Sequence, residues 1–184
     1  GVILDEAERM NKLVRRLLTL SQLESEHPDL NLEVFDLRES AESVLRKTQV
    51  LAEESGAKSL LLAPKEALLV RADAFRIDEV LMNYVSNAYH HVSEGGEVRL
   101  SLRVEGERAH CEVFNSGKPI PEADLERVFE KFYKVDKAHT RRYGGSGIGL
   151  SIVRAIMTQH NMPCGVRNAE NGVVFWFELP LAPT

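Results

Sequence analysis

Apolar residues near the start of the chain recur at helical spacing. Ile3, Ala7, Met10, Val14 and Leu17 step by four and three, with Leu13 and Leu20 widening the stripe, which predicts a helix from Ile3 to about Glu24. At ~1.5 Å per residue such a helix is about 33 Å long. Its seam either folds back on its own domain or forms half of a helical hairpin that pairs with another chain. His27-Pro28 ends the pattern, and Leu32-Glu33-Val34-Phe35 then alternates as a strand does. Asp36 and Glu39 have capping-box spacing and predict a helix to about Ser55.

Short strands are predicted at Ser59–Ala63 and Ala67–Arg71, followed by a helix capped by Asp73 that runs through Val80, Leu81, Val85 and Ala88. Glu97–Glu105 and Arg108–Asn115 read as a hairpin turning at Gly106-Glu107. Pro121 opens a short helix reaching Val128, residues 129–146 read as a mobile loop, and a helix runs from Gly147 or Ile148 to about Gln159. The last strand pair, Gly165–Asn168 and Val173–Leu179, turns at Asn171-Gly172. Hairpins mixed with helices favour an α+β two-layer sandwich over a doubly wound parallel sheet, with the domain proper beginning near residue 30.

Composition narrows the class only a little. Hydrophobic residues at 43% and charged residues at 28% exclude a disordered or collagen-like chain. A formal charge of −5 offers no overall attraction to nucleic acid. Cys111 and Cys164 lack metal-ligand spacing. No apolar run approaches the roughly 18 residues of a transmembrane helix, and no signal-peptide pattern is read. The start Gly1-Val2-Ile3-Leu4 already reads as helix without a methionine, so further sequence is expected upstream.

Local chemistry is more informative. Gly144-Gly145-Ser146-Gly147-Ile148-Gly149 runs directly into a helix, where backbone N–H groups free of Cβ crowding can turn toward an anion. No Lys-Ser/Thr follows, so it is not a P-loop. Before it, Lys131, Lys134, Lys137, Arg141 and Arg142 face only Asp136, a local +4 in an acidic chain, which points to polyphosphate or to a solvated basic loop. Asn83 and Asn87 share a helical face, and an asparagine oxygen is a hard ligand able to hold Mg²⁺ bridged by phosphates, with His90 three residues on. Paired asparagines can equally face solvent. In Asn115-Ser116-Gly117-Lys118-Pro119-Ile120 a polar side chain at a strand end could meet a base edge or could simply make a turn.

Taken in order, Asn83–Asn87, Asn115-x-Gly117-x-x-Ile120, Phe129-Glu130-Lys131-Phe132-Tyr133 and Gly145-x-Gly147-x-Gly149-Leu150 resemble the N, G1, F and G2 boxes of sensor histidine kinases. Gly172–Pro180 resembles the closing glycine-strand motif. The resemblance implies the Bergerat ATP-binding sandwich over 30–184, a mixed sheet covered by about three helices. It implies that residues 1–26 are the second helix of a dimerisation and phosphotransfer hairpin. The implied cofactors are ATP and Mg²⁺. Its partners would be the acceptor-histidine hairpin helix, a response regulator and, through a four-helix bundle, a second copy. The implied location is the cytoplasmic part of a membrane-anchored sensor.

Carried over by position, Asn87 would be the Mg²⁺ ligand, supported by Asn83. His90 takes the place of a basic residue touching phosphate, and His91 that of a tyrosine beside the base. Asn115, Gly117 and Ile120 would line the base. Gly145, Gly147, Gly149 and Leu150 would shape the phosphate cradle, and Lys134, Arg141 and Arg142 would belong to the lid. Phe129, Phe132 and Tyr133 would fold the lid onto the domain.

Two positions depart from the family pattern: Asn115 stands for the usual aspartate and Pro119 for a glycine. The phosphoacceptor box, a histidine followed directly by an acidic residue with a proline nearby, is missing, because His27, His90, His91, His110, His139 and His160 all lack that context. Hydrolysing relatives on the same fold carry a glutamate four residues before the metal-binding asparagine. Here that residue is Asn83, which is no general base. Transfer is therefore expected over hydrolysis, the other reading being a nucleotide-gated module that binds a response regulator without turnover.

Overall fold

The computed structural model describes residues 1–25, 29–134 and 147–184. Helix α1 spans Val2–Leu23. It is followed by β1 (Leu32–Asp36), α2 (Leu37–Lys47), α3 (Gln49–Ser55), β2 (Lys58–Leu62), β3 (Leu69–Asp73) and α4 (Ala74–His91). The chain continues through β4 (Glu97–Glu105), β5 (Arg108–Ser116), α5 (Glu122–Leu125), α6 (Gly149–Gln159), β6 (Cys164–Ala169) and β7 (Gly172–Pro180). This is the two-layer α+β sandwich that the order of elements predicts.

The main sheet has five strands in the order β2-β4-β5-β7-β6. Only β2 and β4 run parallel, because β3 and α4 intervene between them as a crossover, while every other pair is antiparallel. Strands β1 and β3 form a separate antiparallel ribbon, tied to the main sheet by a bridge between Val70 and Leu181.

Alternation sorts the sheet into two faces. Val98, Leu100, Leu102, Ala109, Cys111, Val113, Val173, Phe175, Phe177 and Leu179 are buried on the helix side. Arg99, Arg103, His110, Glu112, Phe114, Trp176 and Glu178 occupy the alternate positions and form the outer face.

Helix α4 lies across the inner face. Its Ile77, Val80, Leu81, Tyr84, Val85 and Ala88 make a buried stripe at three- and four-residue spacing. Asp73 starts it by accepting from the Arg76 N–H at 3.2 Å, while its other oxygen accepts from Asn31 at 3.1 Å. The Tyr84 hydroxyl donates to the Trp176 carbonyl at 3.0 Å, pinning α4 to β7. Burial pushes that phenol well above its usual range. Helices α2 and α3 flank α4 on one side and α6 on the other.

Helix α1 docks on α6 through its last turns, where Leu20 and Leu23 are buried. Lys131 meets Glu24 at 2.9 Å, and the Gln159 amide donates to the Leu23 carbonyl. Its first turns keep Val2, Ile3, Leu4, Met10 and Val14 exposed. No described helix is long and apolar enough to cross a membrane. His27 and Pro28, expected to end α1, lie outside the described residues, and Glu24 forms its C-cap.

Several boundaries differ from expectation for tertiary reasons. The single helix expected from Asp36 to Ser55 breaks at Thr48, whose buried hydroxyl donates to the Val44 carbonyl at 2.7 Å and ends α2. The expected capping box is replaced by a shared cap, in which Asp36 accepts from Arg38 and from the distant Leu68, both at 3.0 Å. Arg38 also donates to the carbonyls of Pro64 and Lys65 at 2.7 and 2.6 Å. That clasp holds the β2–β3 connection as a loop, so β3 begins at Leu69 and not at Ala67.

Helix α5 stops at Leu125, short of Val128, and α6 starts at Gly149. The final turn is Glu170-Asn171, with Asn171 at φ +62° and Gly172 inside β7. Gly172 has a packing reason to be glycine: a Cβ there would lie 2.2 Å from the Asn115 carbonyl oxygen and 2.5 Å from the Phe114 ring. Gly172→Ala is therefore expected to lower the urea midpoint by about 3 kcal/mol equivalent with an unchanged slope, as overpacking does.

Candidate nucleotide site

Helix α4 is the spine of the candidate site, because its middle meets the start of α6 and its end meets the loop after β5. Asn83 and Asn87 are half-buried on it. The Asn83 amide nitrogen donates to the Glu79 carbonyl at 2.8 Å, which fixes the side chain and directs its oxygen toward α6. A Cβ on Gly149 would sit 2.7 Å from that oxygen, so any side chain there would push the Asn83 amide out of its place.

Helix α6 has no side-chain cap at Ile148. Among the described residues no side chain caps this first turn, so its N–H groups and the positive end of its dipole open beside Asn83, an arrangement that suits an anion. Leu150 is half-buried and packs against the core.

Gly147 is stapled to the other side of the basic segment. Its carbonyl accepts from the Phe132 N–H at 2.8 Å, its φ is +74°, and a Cβ would reach the Phe132 backbone at 2.9 Å. The two flanks of residues 135–146 thus meet, with the half-buried Lys134 side chain alongside, 3.3 Å from the same Cβ position. Gly145, Arg141, Arg142 and Lys137, and the larger part of the expected mobile loop, lie outside the described residues.

Phe129 is buried edge-on against Phe175 at 6.1 Å, and its carbonyl accepts from the Ser151 hydroxyl at 3.0 Å. The Tyr133 hydroxyl donates to Asp124, whose carboxylate pushes the phenol above its usual value. The Phe132 ring behaves differently: it is 55% exposed, and it is the backbone of this residue that makes the staple.

At the far end of α4 the half-buried His90 and the exposed His91 lie in the last turn. Asn115 is only 2% exposed, between Val98 and Val173 in the sheet, with its amide nitrogen toward the Ser116 carbonyl at 3.3 Å. Gly117 follows at φ +145°, donating to the Asn171 carbonyl at 2.9 Å, and a Cβ on it would meet the His91 carbonyl at 3.0 Å.

Ile120 is clasped by Asn168. The Ile120 N–H donates to the Asn168 amide oxygen at 2.8 Å, and the Asn168 amide nitrogen donates to the Ile120 carbonyl at 2.8 Å. Asn168 did not stand out in the sequence, and Asn171 was read there only as a turn residue. The one available signal was an asparagine in a strand-like run, a residue that strands disfavour.

Asn83, against Gly149, and His91, against Gly117, are eight residues apart on α4, about 12 Å at the helical rise. The geometry offers a buried polar side chain at one end and an uncapped helix start with a fixed amide oxygen at the other. That is a place for a base at the first and phosphates at the second.

Comparison with known proteins shows the family and the fold. Residues 72–183 match the family described as histidine kinase-, DNA gyrase B-, and HSP90-like ATPase. The sensor histidine kinase WalK of Bacillus subtilis (strain 168) is 34% identical over 179 residues, which are 96% of this chain and 29% of WalK. The histidine kinase ThkA in complex with the response regulator TrrA aligns with a TM-score of 0.80 at 30% identity, over 98% of this chain and 50% of that one. Full-length ShkA in complex with AMPPNP aligns with a TM-score of 0.86 at 25% identity, over 98% of this chain and 37% of ShkA. The chain spans less than half of the length of curated relatives such as WalK. It belongs to the histidine kinase-, DNA gyrase B- and HSP90-like ATPase family, as a sensor-kinase catalytic domain of the Bergerat fold.

Proposed function

We propose that the chain binds Mg-ATP and transfers the γ-phosphoryl group to a histidine on a hairpin helix that it does not itself contain, for relay to a response regulator. The observation that carries this reading is the Asn83 oxygen fixed against the uncapped start of α6, with Gly149 leaving the space open. The AMPPNP complex of ShkA and the response-regulator complex of ThkA support it by likeness.

The amide oxygens of Asn87 and Asn83 are the hard, neutral ligands that suit Mg²⁺ beside a triphosphate. Mg²⁺ held there would supply neutralisation of the phosphate charge that develops during transfer. Asn87 holds the metal, and Asn83 keeps it and the phosphates in register. Asn115 accepts from the adenine amino group, Gly117 and Ile120 shape the wall beside the base, and His91 covers its face. His90, Lys134, Arg141 and Arg142 balance phosphate charge, and Gly145, Gly147, Gly149 and Leu150 form the cradle. Catalysis then comes from positioning and charge stabilisation, since Asn83, at the place where hydrolysing relatives carry a glutamate, is no general base for water.

In the same reading residues 1–26 form the second helix of the hairpin, and the exposed Val2, Ile3, Leu4, Met10 and Val14 meet the missing helix in a homodimeric four-helix bundle. Residues 30–184 form the catalytic unit, the cytoplasmic part of a membrane-anchored sensor.

Calorimetric titration with ATP and Mg²⁺, run beside a phosphate-release assay, tests the proposal. Saturable binding without sustained release supports a kinase, whereas steady turnover would make the chain an ATPase. A finer test uses Gly149→Ala. The Asn83 side chain can yield to the new methyl group, so stability should change by under about 1 kcal/mol, while displacement of the amide should weaken Mg-ATP binding about tenfold. Equal affinity in the two proteins would remove Asn83 from the site.

A further inference from the structure

On the outer face of the sheet, away from α4 and α6, three lone-pair atoms converge on one point. His110 Nδ1 lies 3.0 Å from Glu178 Oε2 and 3.7 Å from Glu105 Oε2. Three adjacent strand segments supply them, namely the end of β4, the start of β5 and the end of β7. His110 is 8% exposed, Glu178 half-buried and Glu105 exposed.

The surroundings hold each group in this orientation. Glu105 spends its other oxygen on Arg103 Nε at 2.7 Å, and Glu178 spends its other oxygen on Arg108 Nη1 at 3.1 Å, so both Oε2 atoms stay turned to the imidazole. On the far side of the ring His110 Nε2 meets Glu112 Oε1 at 2.9 Å, and that carboxylate is itself held by Arg103 at 3.2 Å and Arg167 at 3.0 Å. In the tautomer whose Nε2 proton is donated to Glu112, Nδ1 is presented as a ligand, the arrangement found behind metal-bound histidines.

A proton on Nδ1 satisfies one carboxylate at a time, whereas a metal ion satisfies all three atoms. Bonds of 2.0–2.2 Å at a tetrahedral centre put neighbouring ligands roughly 3.4 Å apart, between the two separations seen here. One imidazole nitrogen with two carboxylate oxygens selects a first-row divalent ion such as Zn²⁺ over Mg²⁺ or Ca²⁺.

We propose that Glu105, His110 and Glu178 form a divalent transition-metal site with one position open to water, and that Glu112 orients its histidine. The site joins β4, β5 and β7 across the face opposite the nucleotide, so an ion bound there stabilises the folded sheet by mass action.

Trp176 supplies a local reporter. It is the single tryptophan of the chain, and its ring stacks on His110 with centroids 5.6 Å apart. Untagged protein titrated with Co²⁺ should lose tryptophan fluorescence saturably, and Zn²⁺ should restore it by competition. The half-saturating Co²⁺ concentration should rise about a hundredfold in His110→Gln and about tenfold in Glu105→Gln, whose side chain is exposed enough to change without loss of the fold. Glu112→Gln should raise it 10- to 100-fold without removing a ligand. A double change of His90 and His91 to alanine should leave the curve where it was. Absence of saturable quenching, or equal midpoints in the parent and Glu105→Gln proteins, overturns the proposal.

Discussion

Asn87→Ala is expected to lower the affinity for Mg-ATP by about a hundredfold while leaving the weaker binding of metal-free ATP nearly unchanged. The residue sits half-buried one turn beyond Asn83, on the face of α4 that begins opposite the start of α6. Alanine keeps the helix, since its propensity exceeds that of asparagine, and opens no cavity in the buried stripe of α4. The loss therefore falls on the metal alone, and a hundredfold is about 2.7 kcal/mol. Calorimetry with Mg²⁺ and with chelator separates the two cases. A fall of the same size in both would place Asn87 against the nucleotide, and no change in either would remove it from the site.

Asn115→Asp is expected to sharpen the preference for ATP over GTP by roughly 1–3 kcal/mol, the range for a mismatched buried polar group. An asparagine can offer oxygen to the adenine amino group or, rotated, its NH₂ to guanine O6. Among the described residues the amide nitrogen has the Ser116 carbonyl at 3.3 Å to hold it, a long bond that sets a preferred orientation without locking it. An aspartate presents acceptors in both positions and repels guanine O6. It also buries a charge at a position 2% exposed, beside a carbonyl oxygen, so the variant should be less stable than the parent when no nucleotide is bound. Competition binding of the two nucleotides to both proteins measures the effect. An equal preference in the two would show that this side chain does not read the base.

The positions that the candidate site draws together were legible because their signals are local. Asn83 and Asn87 lie on one helix, the glycines at 117 and 147 mark places where a positive φ disfavours a side chain, and Gly149 marks the close approach to Asn83. The β4–β5 hairpin was read to within one residue, because Gly106 at φ +61° supplies the turn its alternating strands need.

What escaped was set by partners distant in sequence. Thr48 reads as an ordinary helical residue until its burial turns the hydroxyl onto the Val44 carbonyl. The start of β3 depends on Arg38 holding Pro64 and Lys65, 26 and 27 residues away. The Asn168 clasp on Ile120 joins segments 48 residues apart. The Glu105, His110 and Glu178 group could not be read at all before the register of β4, β5 and β7 placed its members side by side.

Phosphoryl transfer to a separately supplied hairpin tests the account most directly. Labelled ATP and Mg²⁺ are given to the chain alone and to the chain mixed with a helical hairpin that carries an acceptor histidine. The account predicts acid-labile phosphate on the hairpin and none on the chain, whose six histidines lack the acceptor context. An unlabelled hairpin in the presence of bound ATP, or stable phosphohistidine on the chain by itself, would contradict it.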